Sequence, residues 1–312
     1  AALAGTLPQL ISGPAGDTPA HSLTSGSRNN IIGFAASMSK IRDTYDRDGF
    51  VCPITVMTET EAGKYRAQLE DFEQTLGREQ QYRRCIKRYP NLVMPFIDEI
   101  SRLPAVTDPV AEILGPDLLA LDAPFFIKEP HSEAYVSWHQ DLHYWGLEGE
   151  EEVTAWIALS PATSASGCMR FVPGSQSEIV DHNNTHHDNN MLSLGQEVAV
   201  EVADADAVDA ELKPGQMSIH HGRVFHASNP NTTDDRRIGL AIRYLPTSMK
   251  QRPGGRMSAM LVRGKDRYGH FQPCRRPSGL MQEADYKHWL EVSGARVNVL
   301  MGGDAQPSES DS

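Results

Sequence analysis

The sequence of 312 residues contains little cysteine and no long apolar run, and each shortage excludes a class of protein. Its four cysteines, Cys52, Cys85, Cys168 and Cys274, are widely spaced without a CxxC pair, which fits neither a disulfide framework nor a zinc ribbon. We therefore expect reduced thiols in a cytoplasmic protein. No stretch approaches the roughly 18 apolar residues of a membrane span. No basic segment followed by an apolar core begins the chain, so we expect no secretory signal.

Basic residues are also in the minority. The 29 Lys and Arg residues stand against 41 Asp and Glu residues, which gives a formal net charge of −12. A surface this acidic is poorly suited to nucleic-acid phosphates and repels anionic lipid, so we expect neither a nucleic-acid nor a membrane partner. Hydrophobic residues make up 39% of the chain, as in ordinary globular proteins, which predicts a sizeable core. The sequence leaves the oligomeric state open.

The two ends of the chain differ in composition from its middle. Residues 1–35 are rich in Gly, Ser, Thr, Ala and Pro, which predicts a loosely ordered arm, and residues 301–312 predict a polar tail. Between these ends we expect a single domain over residues 36–300.

This domain has three predicted parts. Residues 36–115 predict mostly helices because apolar residues recur at steps of three and four after a capping-box pattern, Thr58-x-x-Glu61. Residues 117–245 predict short strands of a sandwich or barrel, and residues 246–300 a C-terminal lid and helix. The predicted strands are Leu118–Lys128, Ala134–His139, Val153–Leu159, Met169–Val172, Val198–Val202, Gln216–His221 and Arg237–Leu245.

His139 and Asp141 are the first candidate metal ligands. Alternate side chains of a strand share a face, so an imidazole and a carboxylate two residues apart can bind one ion. His143 would share this face, and a local zinc site of His139, Asp141 and His143 is an alternative. Three ligands from one strand would spread over roughly 13 Å, which is a poor fit to one ion.

A second group of histidines, His220, His221 and His226, follows a Pro-Gly turn further along the chain. Any of the three could complete a site with His139 and Asp141. Two imidazoles and one carboxylate on one octahedral face leave three positions open. This set suits non-haem Fe(II), which binds oxygen and a chelating co-substrate at the open positions.

Arg237 begins a strand pattern in which large and small residues alternate. Ile238, Leu240 and Ile242 share one face, whereas Arg237, Gly239 and Ala241 share the other, where the small residues leave room for the guanidinium. An arginine inside a barrel requires an anionic partner because an unpaired buried charge is very costly. A dicarboxylate co-substrate would supply such a partner.

With these motifs the sequence resembles the phytanoyl-CoA dioxygenase family, whose members are Fe(II)- and 2-oxoglutarate-dependent oxygenases. The resemblance lies in the HxD pair, a distal histidine followed by a small residue, Ser and Asn, and an arginine eleven residues beyond it. Val153–Pro161 and Gly167–Gln176 resemble the family's central strands and turn. The resemblance spans about residues 41–245. It implies a mainly β protein with flanking helices around a double-stranded β-helix, the jelly-roll and cupin-like core.

The resemblance also implies roles for individual residues. It makes His139, Asp141 and His226 the iron ligands and the catalytic centre, and it favours His226 over His220 and His221. The residues implied to bind or line the site of the co-substrate are Arg237, Ser228, Lys128, Gln140 and Trp156. Lys128 as a solvated strand-end charge and Trp156 as a core aromatic residue remain alternatives.

The implied reaction is hydroxylation of an aliphatic C–H bond of a small organic molecule, with O2 and 2-oxoglutarate converted to succinate and CO2 and with ascorbate as a supporting reductant. Related halogenases carry a small residue in place of the carboxylate, so Asp141 favours hydroxylation. Two alternatives stand beside it. One is a metal-binding β-helix protein without oxygenase activity, and the other is a cupin-like zinc or manganese isomerase or hydrolase.

Six arginines near the C-terminus have two interpretations. They pair with acidic residues of the protein surface, or they belong to a lid that recognises an anionic substrate such as a carboxylate, a phosphonate or a CoA thioester. These arginines are Arg252, Arg256, Arg263, Arg267, Arg275 and Arg276.

Overall fold

The structure, a computed structural model, describes most of the chain between residues 40 and 300. The described residues are 40–143, 145–185, 187–192, 196–253 and 257–300. The predicted N-terminal arm and polar tail lie outside the described residues.

Helices dominate the N-terminal part, as the apolar spacing predicts. The α-helices of the described residues are 40–48 (α1), Glu59–Gln74 (α2), Gln80–Lys87 (α3), Pro95–Ile100 (α4), Pro104–Leu114 (α5) and Glu283–Leu300 (α6). The predicted capping box begins α2, because the Thr58 hydroxyl accepts a hydrogen bond from the Glu61 amide while the Glu61 carboxylate accepts one from the Thr58 amide. None of the helices in the described parts of the chain is long and apolar enough to cross a membrane.

Strands make up most of the remaining structure. In chain order they are Phe50–Thr55 (β1), Leu118–Asp122 (β2), Phe125–Lys128 (β3), Val136–His139 (β4), Leu147–Glu148 (β5), Val153–Ala158 (β6), Met169–Phe171 (β7), His182–Asn184 (β8), Gln196–Val198 (β9), Val208–Ala210 (β10), Gln216–His221 (β11), His226–Ser228 (β12), Arg237–Pro246 (β13), Lys250–Gln251 (β14), Ser258–Arg263 (β15) and Gln272–Pro273 (β16).

Two sheets form the core. The larger sheet has the order β1-β11-β6-β13-β2-β15-β16, with β3 also paired to β13, and the smaller has the order β10-β7-β12-β4. Neighbouring strands are antiparallel except β15 and β16, and neither sheet closes on itself. Their inner faces meet in one apolar cluster, in which the ring of Phe50 stacks on that of Phe171 at 4.5 Å between centroids. This arrangement confirms the predicted jelly-roll core with flanking helices.

The central strand β13 has the alternation that its sequence predicts. Its large apolar residues pack in a cluster with side chains of α2, α4 and α5, whereas its other face lines the space between the sheets. The first row comprises Ile238, Leu240 and Ile242, and the second comprises Arg237, Gly239, Ala241 and Arg243. The strand is therefore buried on both faces.

Three features of the strands differ from the predictions by more than two residues. The run predicted as Leu118–Lys128 breaks at Ala123 and Pro124, because proline has no amide hydrogen and the Asp122 carboxylate accepts a hydrogen bond from the Ala123 amide instead. The strand predicted at Val198–Val202 lies at Gln196–Val198, where it pairs with β8. The strand β1 lies inside the part predicted as helical, and it forms the edge of the larger sheet beside β11.

The C-terminal part extends the core. Strand β15 pairs with β2 in the larger sheet, and α6 packs on the helical layer, where the buried Trp289 donates a hydrogen bond from Nε1 to the Arg88 carbonyl at 2.7 Å. The described residues of this part therefore contribute a strand and a helix to the fold, and the lid stays a prediction.

Four of the six C-terminal arginines pair with carboxylates of the protein. The pairs are Arg263 with Asp108, Arg267 with Asp117, Arg275 with Asp285, and Arg276 with Asp98. For these four side chains the structure agrees with the ion-pair interpretation. Arg256 lies outside the described residues.

Candidate active site

Two neighbouring strands of the smaller sheet bring the predicted metal ligands together. Strand β12 pairs with β4 so that His226 stands opposite His139, with 4.0 Å between the ring centroids. Asp141 follows at the first position of a 3-10 turn, and its Oδ1 lies 3.6 Å from Nε2 of His139. One ligand atom from each of the three residues lies within 4.8 Å of the others. The described residues thus hold one His-Asp-His cluster of metal-binding size.

The backbone orients both imidazoles. The Nδ1 atom of His139 lies 2.9 Å from the carbonyl oxygen of Ser137, and Nδ1 of His226 lies 3.0 Å from that of Val224. An N–H at Nδ1 satisfies each carbonyl, so Nε2 of each ring is left as the metal ligand. Burial holds the pKa of His226 well below its ordinary value, which favours the neutral ligand form.

The charges around Asp141 keep it ionised. Burial by itself would raise the pKa of this carboxyl, but the groups that face it, His139 and then Arg243, lower it below the ordinary value. Two imidazoles and one carboxylate whose ligand atoms lie within 4.8 Å of one another form a donor set that fits Fe(II) and leaves other positions open.

Among the described residues the cluster consists of His139, Asp141 and His226, and it differs from the alternative ligand sets. The strand ends at His139, and the 3-10 turn Asp141–His143 removes the strand alternation on which a His139-Asp141-His143 zinc site depends. His221 accepts a hydrogen bond at Nδ1 from the Arg223 amide and is not part of the cluster. His220 lies beside the cluster, with its Nε2 4.0 Å from Asp141 Oδ2.

A cavity between the two sheets contains the cluster. It has about 420 Å³ of empty volume, part of it open to solvent, and its lining includes all three candidate ligands, Trp156 and Arg237. The metal site and the predicted co-substrate arginine therefore face the same space.

Arg237 is buried without a hydrogen-bonding partner for much of its guanidinium. Its exposure is 1%, and Nε and Nη2 have no acceptor among the described residues. The guanidinium lies over the Trp156 ring, 5.3 Å from its centroid, and burial lowers the arginine pKa to about 10. A Cβ at Gly239 would overlap this indole, so the absence of a side chain at this position leaves room for the ring. Unpaired N–H groups beside a metal site fit the distal carboxylate of 2-oxoglutarate.

The side chain of Lys128 lies behind the wall of the cavity. It is fully buried, and its Nζ donates hydrogen bonds to Ser228 Oγ at 2.7 Å, to the Ser228 carbonyl at 3.2 Å and to the Asn229 carbonyl. Burial, together with the charge of Arg237, lowers the lysine pKa to about 6. Ser228 lines the cavity, whereas Lys128 does not. The lysine is therefore not a solvated strand-end charge, and it fixes Ser228.

Gln140 points away from the cavity lining. Its amide donates to the carbonyls of Glu178 and Arg223 at 2.8 and 2.6 Å and accepts from the Val180 amide at 2.9 Å. The structure therefore differs from the predicted lining role. Gln140 lies between His139 and Asp141 in the sequence, but its side chain does not line the cavity that their side chains line. Trp156, in contrast, lines the cavity as predicted.

Three polar residues that the sequence analysis did not choose for the site, Thr154, His220 and Arg243, also line the cavity. Thr154 on β6 stands opposite His220 on β11 and opposite Arg243 on β13, so the three form a row across neighbouring strands. A signal for Arg243 was present, because strand alternation from Arg237 places it on the same face. The pairing of β6 with β11 depends on long-range contacts that the sequence does not reveal.

Comparisons with known proteins agree with this geometry. The family model for phytanoyl-CoA dioxygenase (PhyH) matches residues 45–239, more than half of the chain, and this range includes His139, Asp141, His226 and Arg237. Among solved structures, the apo form of the non-heme monooxygenase ThoJ is 33% identical with a TM-score of 0.76, over 84% of this chain and 98% of that chain.

Two curated relatives are more distant. The "Probable alpha-ketoglutarate-dependent hypophosphite dioxygenase" of Stutzerimonas stutzeri is 28% identical over 157 residues, which are 50% of this chain and about half, 54%, of that relative. The L-proline trans-4-hydroxylase of Streptomyces griseoviridis is 26% identical over 233 residues, which are 66% of this chain and 85% of that enzyme. With the family model, these similarities show that the chain belongs to the phytanoyl-CoA dioxygenase family of Fe(II)- and 2-oxoglutarate-dependent oxygenases.

Proposed function

We propose that this protein is a dioxygenase that hydroxylates an aliphatic C–H bond of a small organic molecule and converts 2-oxoglutarate to succinate and CO2. One observation carries the proposal. The guanidinium of Arg237, whose Nε and Nη2 have no acceptor among the described residues, lines the same cavity as His139, Asp141 and His226. A metal site alone would serve many functions, whereas a metal site with a buried cation facing the same cavity is suited to a dicarboxylate that also chelates the metal.

The protein's own residues bind and orient the reactants. His139, Asp141 and His226 would hold Fe(II), which would supply the oxygen chemistry. Arg237 binds the distal carboxylate of 2-oxoglutarate, and Trp156 supports the guanidinium from one face. Lys128 and Ser228 hold the neighbouring wall of the site in place.

The substrate in this proposal is small and anionic, and Arg243 is its anchor. This side chain lines the cavity, is 9% exposed, and has no acceptor for Nε among the described residues. Its Nη1 lies 3.9 Å from Asp122 Oδ2, beyond hydrogen-bonding distance, and the guanidinium lies 4.6 Å from the centroid of the Trp145 ring. The names of two relatives, for L-proline and hypophosphite, point to substrates with an anionic group. The four paired C-terminal arginines do not contribute to this anchor.

A cytoplasmic location is part of the proposal. All four cysteines are free thiols in the structure, including the buried Cys85 and Cys168. Thiols that stay reduced are typical of proteins in a reducing compartment.

The proposal is tested by product analysis. Protein supplied with Fe(II), ascorbate, 2-oxoglutarate and ¹⁸O2 is offered small carboxylic acids and amino acids, each beside its neutral amide. We expect succinate to form together with a product that carries one ¹⁸O atom, and we expect this reaction to be lost in Asp141→Ala and Arg237→Met. Equal succinate formation in wild type and both variants would refute the proposal.

The same experiment separates the alternatives. A metal-binding protein without oxygenase activity would bind metal and form no succinate with any compound. A zinc or manganese isomerase or hydrolase would convert its substrate without O2 and would be indifferent to Arg237→Met.

A further inference from the structure

The two carboxylate oxygens of Asp141 have different surroundings. Oδ1 lies on the side of the metal ligands, 3.6 Å from Nε2 of His139. Oδ2 accepts a hydrogen bond from the Thr154 hydroxyl at 3.4 Å and lies 4.0 Å from Nε2 of His220. The geometry points to Thr154 and His220 as positioning residues that hold Oδ2 away from the metal, so that Asp141 binds it through one oxygen.

Thr154 and His220 form a rigid support. They are cross-strand partners in the larger sheet, on β6 and β11, and each is 1% exposed. The carboxylate that they face comes from the turn after β4 in the smaller sheet. The larger sheet therefore sets the orientation of a ligand that the smaller sheet supplies.

The buried ring of His220 requires a hydrogen-bond acceptor. Neither of its ring nitrogens has a hydrogen-bonding partner among the described residues, although the ring is buried between Phe171 and His226. A neutral imidazole carries one N–H, and burying it unpaired is costly. Asp141 Oδ2 lies about 1 Å beyond hydrogen-bonding distance, a gap that catalytic sites commonly close when they are loaded.

The hydroxyl of Thr154 also lies beside a second carboxyl group. Oε1 of the fully buried Glu152 lies 3.2 Å from Thr154 Oγ1. Burial, and next the charge of Asp141, raise the pKa of Glu152 well above its ordinary value. The Thr154 hydroxyl therefore lies between the carboxyl groups of Glu152 and Asp141, within 3.4 Å of an oxygen of each.

Attachment through one oxygen matters for the proposed function, on which this inference rests. With one oxygen of Asp141 and two imidazoles bound, an octahedral ion keeps three positions. Chelating 2-oxoglutarate would take two of them, and the third would be left for O2. A carboxylate bound through both oxygens would fill that third position.

The test is metal binding without oxygen or 2-oxoglutarate. Mn(II) is titrated into Thr154→Val, His220→Leu and the double variant, and the waters on the ion are counted from the broadening of its electron paramagnetic resonance signal in H2¹⁷O. We expect three waters in the wild type and two in the double variant. We also expect each single variant to bind Mn(II) about 10–100-fold more weakly.

Three variants serve as controls. Thr154→Ser keeps the hydroxyl, and Glu152→Gln keeps a polar side chain of nearly the same shape beside it, so both should retain three waters. Ser218→Ala removes another buried polar group from β11, and it should leave both the affinity and the water count unchanged. Thermal unfolding confirms that each variant is folded, and Thr154→Val keeps nearly the shape of the native side chain.

The outcomes separate this inference from the proposed function. If the wild type binds metal and 2-oxoglutarate and the double variant keeps three waters and wild-type affinity, the positioning role is refuted and the proposed function stands. If the wild type binds no metal through His139, Asp141 and His226, both are refuted.

Discussion

His139 and His226 stand opposite each other on adjacent antiparallel strands, with their ring centroids 4.0 Å apart. This one pairing joins residues that are 87 positions apart in the chain. Because Asp141 follows His139 closely and Arg237 begins the strand that comes after His226, the same pairing also sets the position of the other parts of the site. The chemistry of the protein therefore depends on the register between β4 and β12.

The packing of Gly239 against Trp156 gives the first prediction. We expect Gly239→Ala to displace the indole beneath Arg237, because the added Cβ would overlap the ring. Overpacking of this kind costs about 1–3 kcal/mol of unfolding free energy. The affinity for 2-oxoglutarate should fall with it. Urea unfolding and anaerobic titration of 2-oxoglutarate measure the two effects.

Gly63 provides the matched control. It lies in α2, and a Cβ there would meet no atom within 4 Å. Gly63→Ala should leave 2-oxoglutarate binding unchanged and stabilise the protein by up to about 1 kcal/mol, because alanine favours the helix. Equal effects of the two substitutions would contradict the role assigned to Gly239.

Gln140 gives the second prediction. Its side chain makes three hydrogen bonds to the backbone of Glu178, Val180 and Arg223. We expect Gln140→Ala to cost about 3 kcal/mol or more of unfolding free energy, since each buried group left unpaired costs about 1–3 kcal/mol. The affinity of the folded, metal-loaded variant for 2-oxoglutarate should stay close to that of the wild type. A loss of affinity without a loss of stability would instead support a lining role.

The third prediction concerns the pH dependence of stability. Burial lowers the pKa of His221 from 6.5 to about 4. Between these values the unfolded chain binds this proton and the folded chain does not, so stability is complete above pH 6.5 and falls as the pH drops toward 4. At pH 5 the loss for one such group is about 2 kcal/mol.

His221→Gln tests this dependence. Glutamine offers an acceptor to the Arg223 amide in place of Nδ1 and does not titrate. Between pH 7 and pH 5, the variant should lose about 2 kcal/mol less unfolding free energy than the wild type. The same loss in both proteins would show that His221 does not carry this pH dependence.

Local patterns in the sequence predict much of the fold. The strand Gln216–His221 has the predicted bounds, and the alternation along β13 correctly separates the residues that face the helices from those that face the cavity. These predictions are correct because strand periodicity depends on burial, and the size and polarity of each residue indicate its burial directly in the sequence. The same reasoning placed Arg237 inside the fold.

Other features depend on contacts between distant parts of the chain. The segment Phe50–Thr55 becomes a strand because it pairs with the edge of β11, although its neighbours in sequence are helical. Likewise, Asp141 faces His139 through a turn and not through strand alternation. The polar contacts of Asp141 with Thr154 and His220 require both sheets to be in place, so no local pattern indicates them.

The most direct test of the account is anaerobic calorimetric titration of 2-oxoglutarate into the Fe(II)-loaded wild type, Arg237→Met and Arg236→Met. Arg236 is the matched control, because it is the neighbouring residue and pairs outside the cavity with Glu73 and Glu129. We predict one site in the wild type, unchanged binding in Arg236→Met, and about 100-fold weaker binding in Arg237→Met, as expected for the loss of charged hydrogen bonds worth about 3 kcal/mol. Equal affinity in Arg237→Met and the wild type would contradict the account.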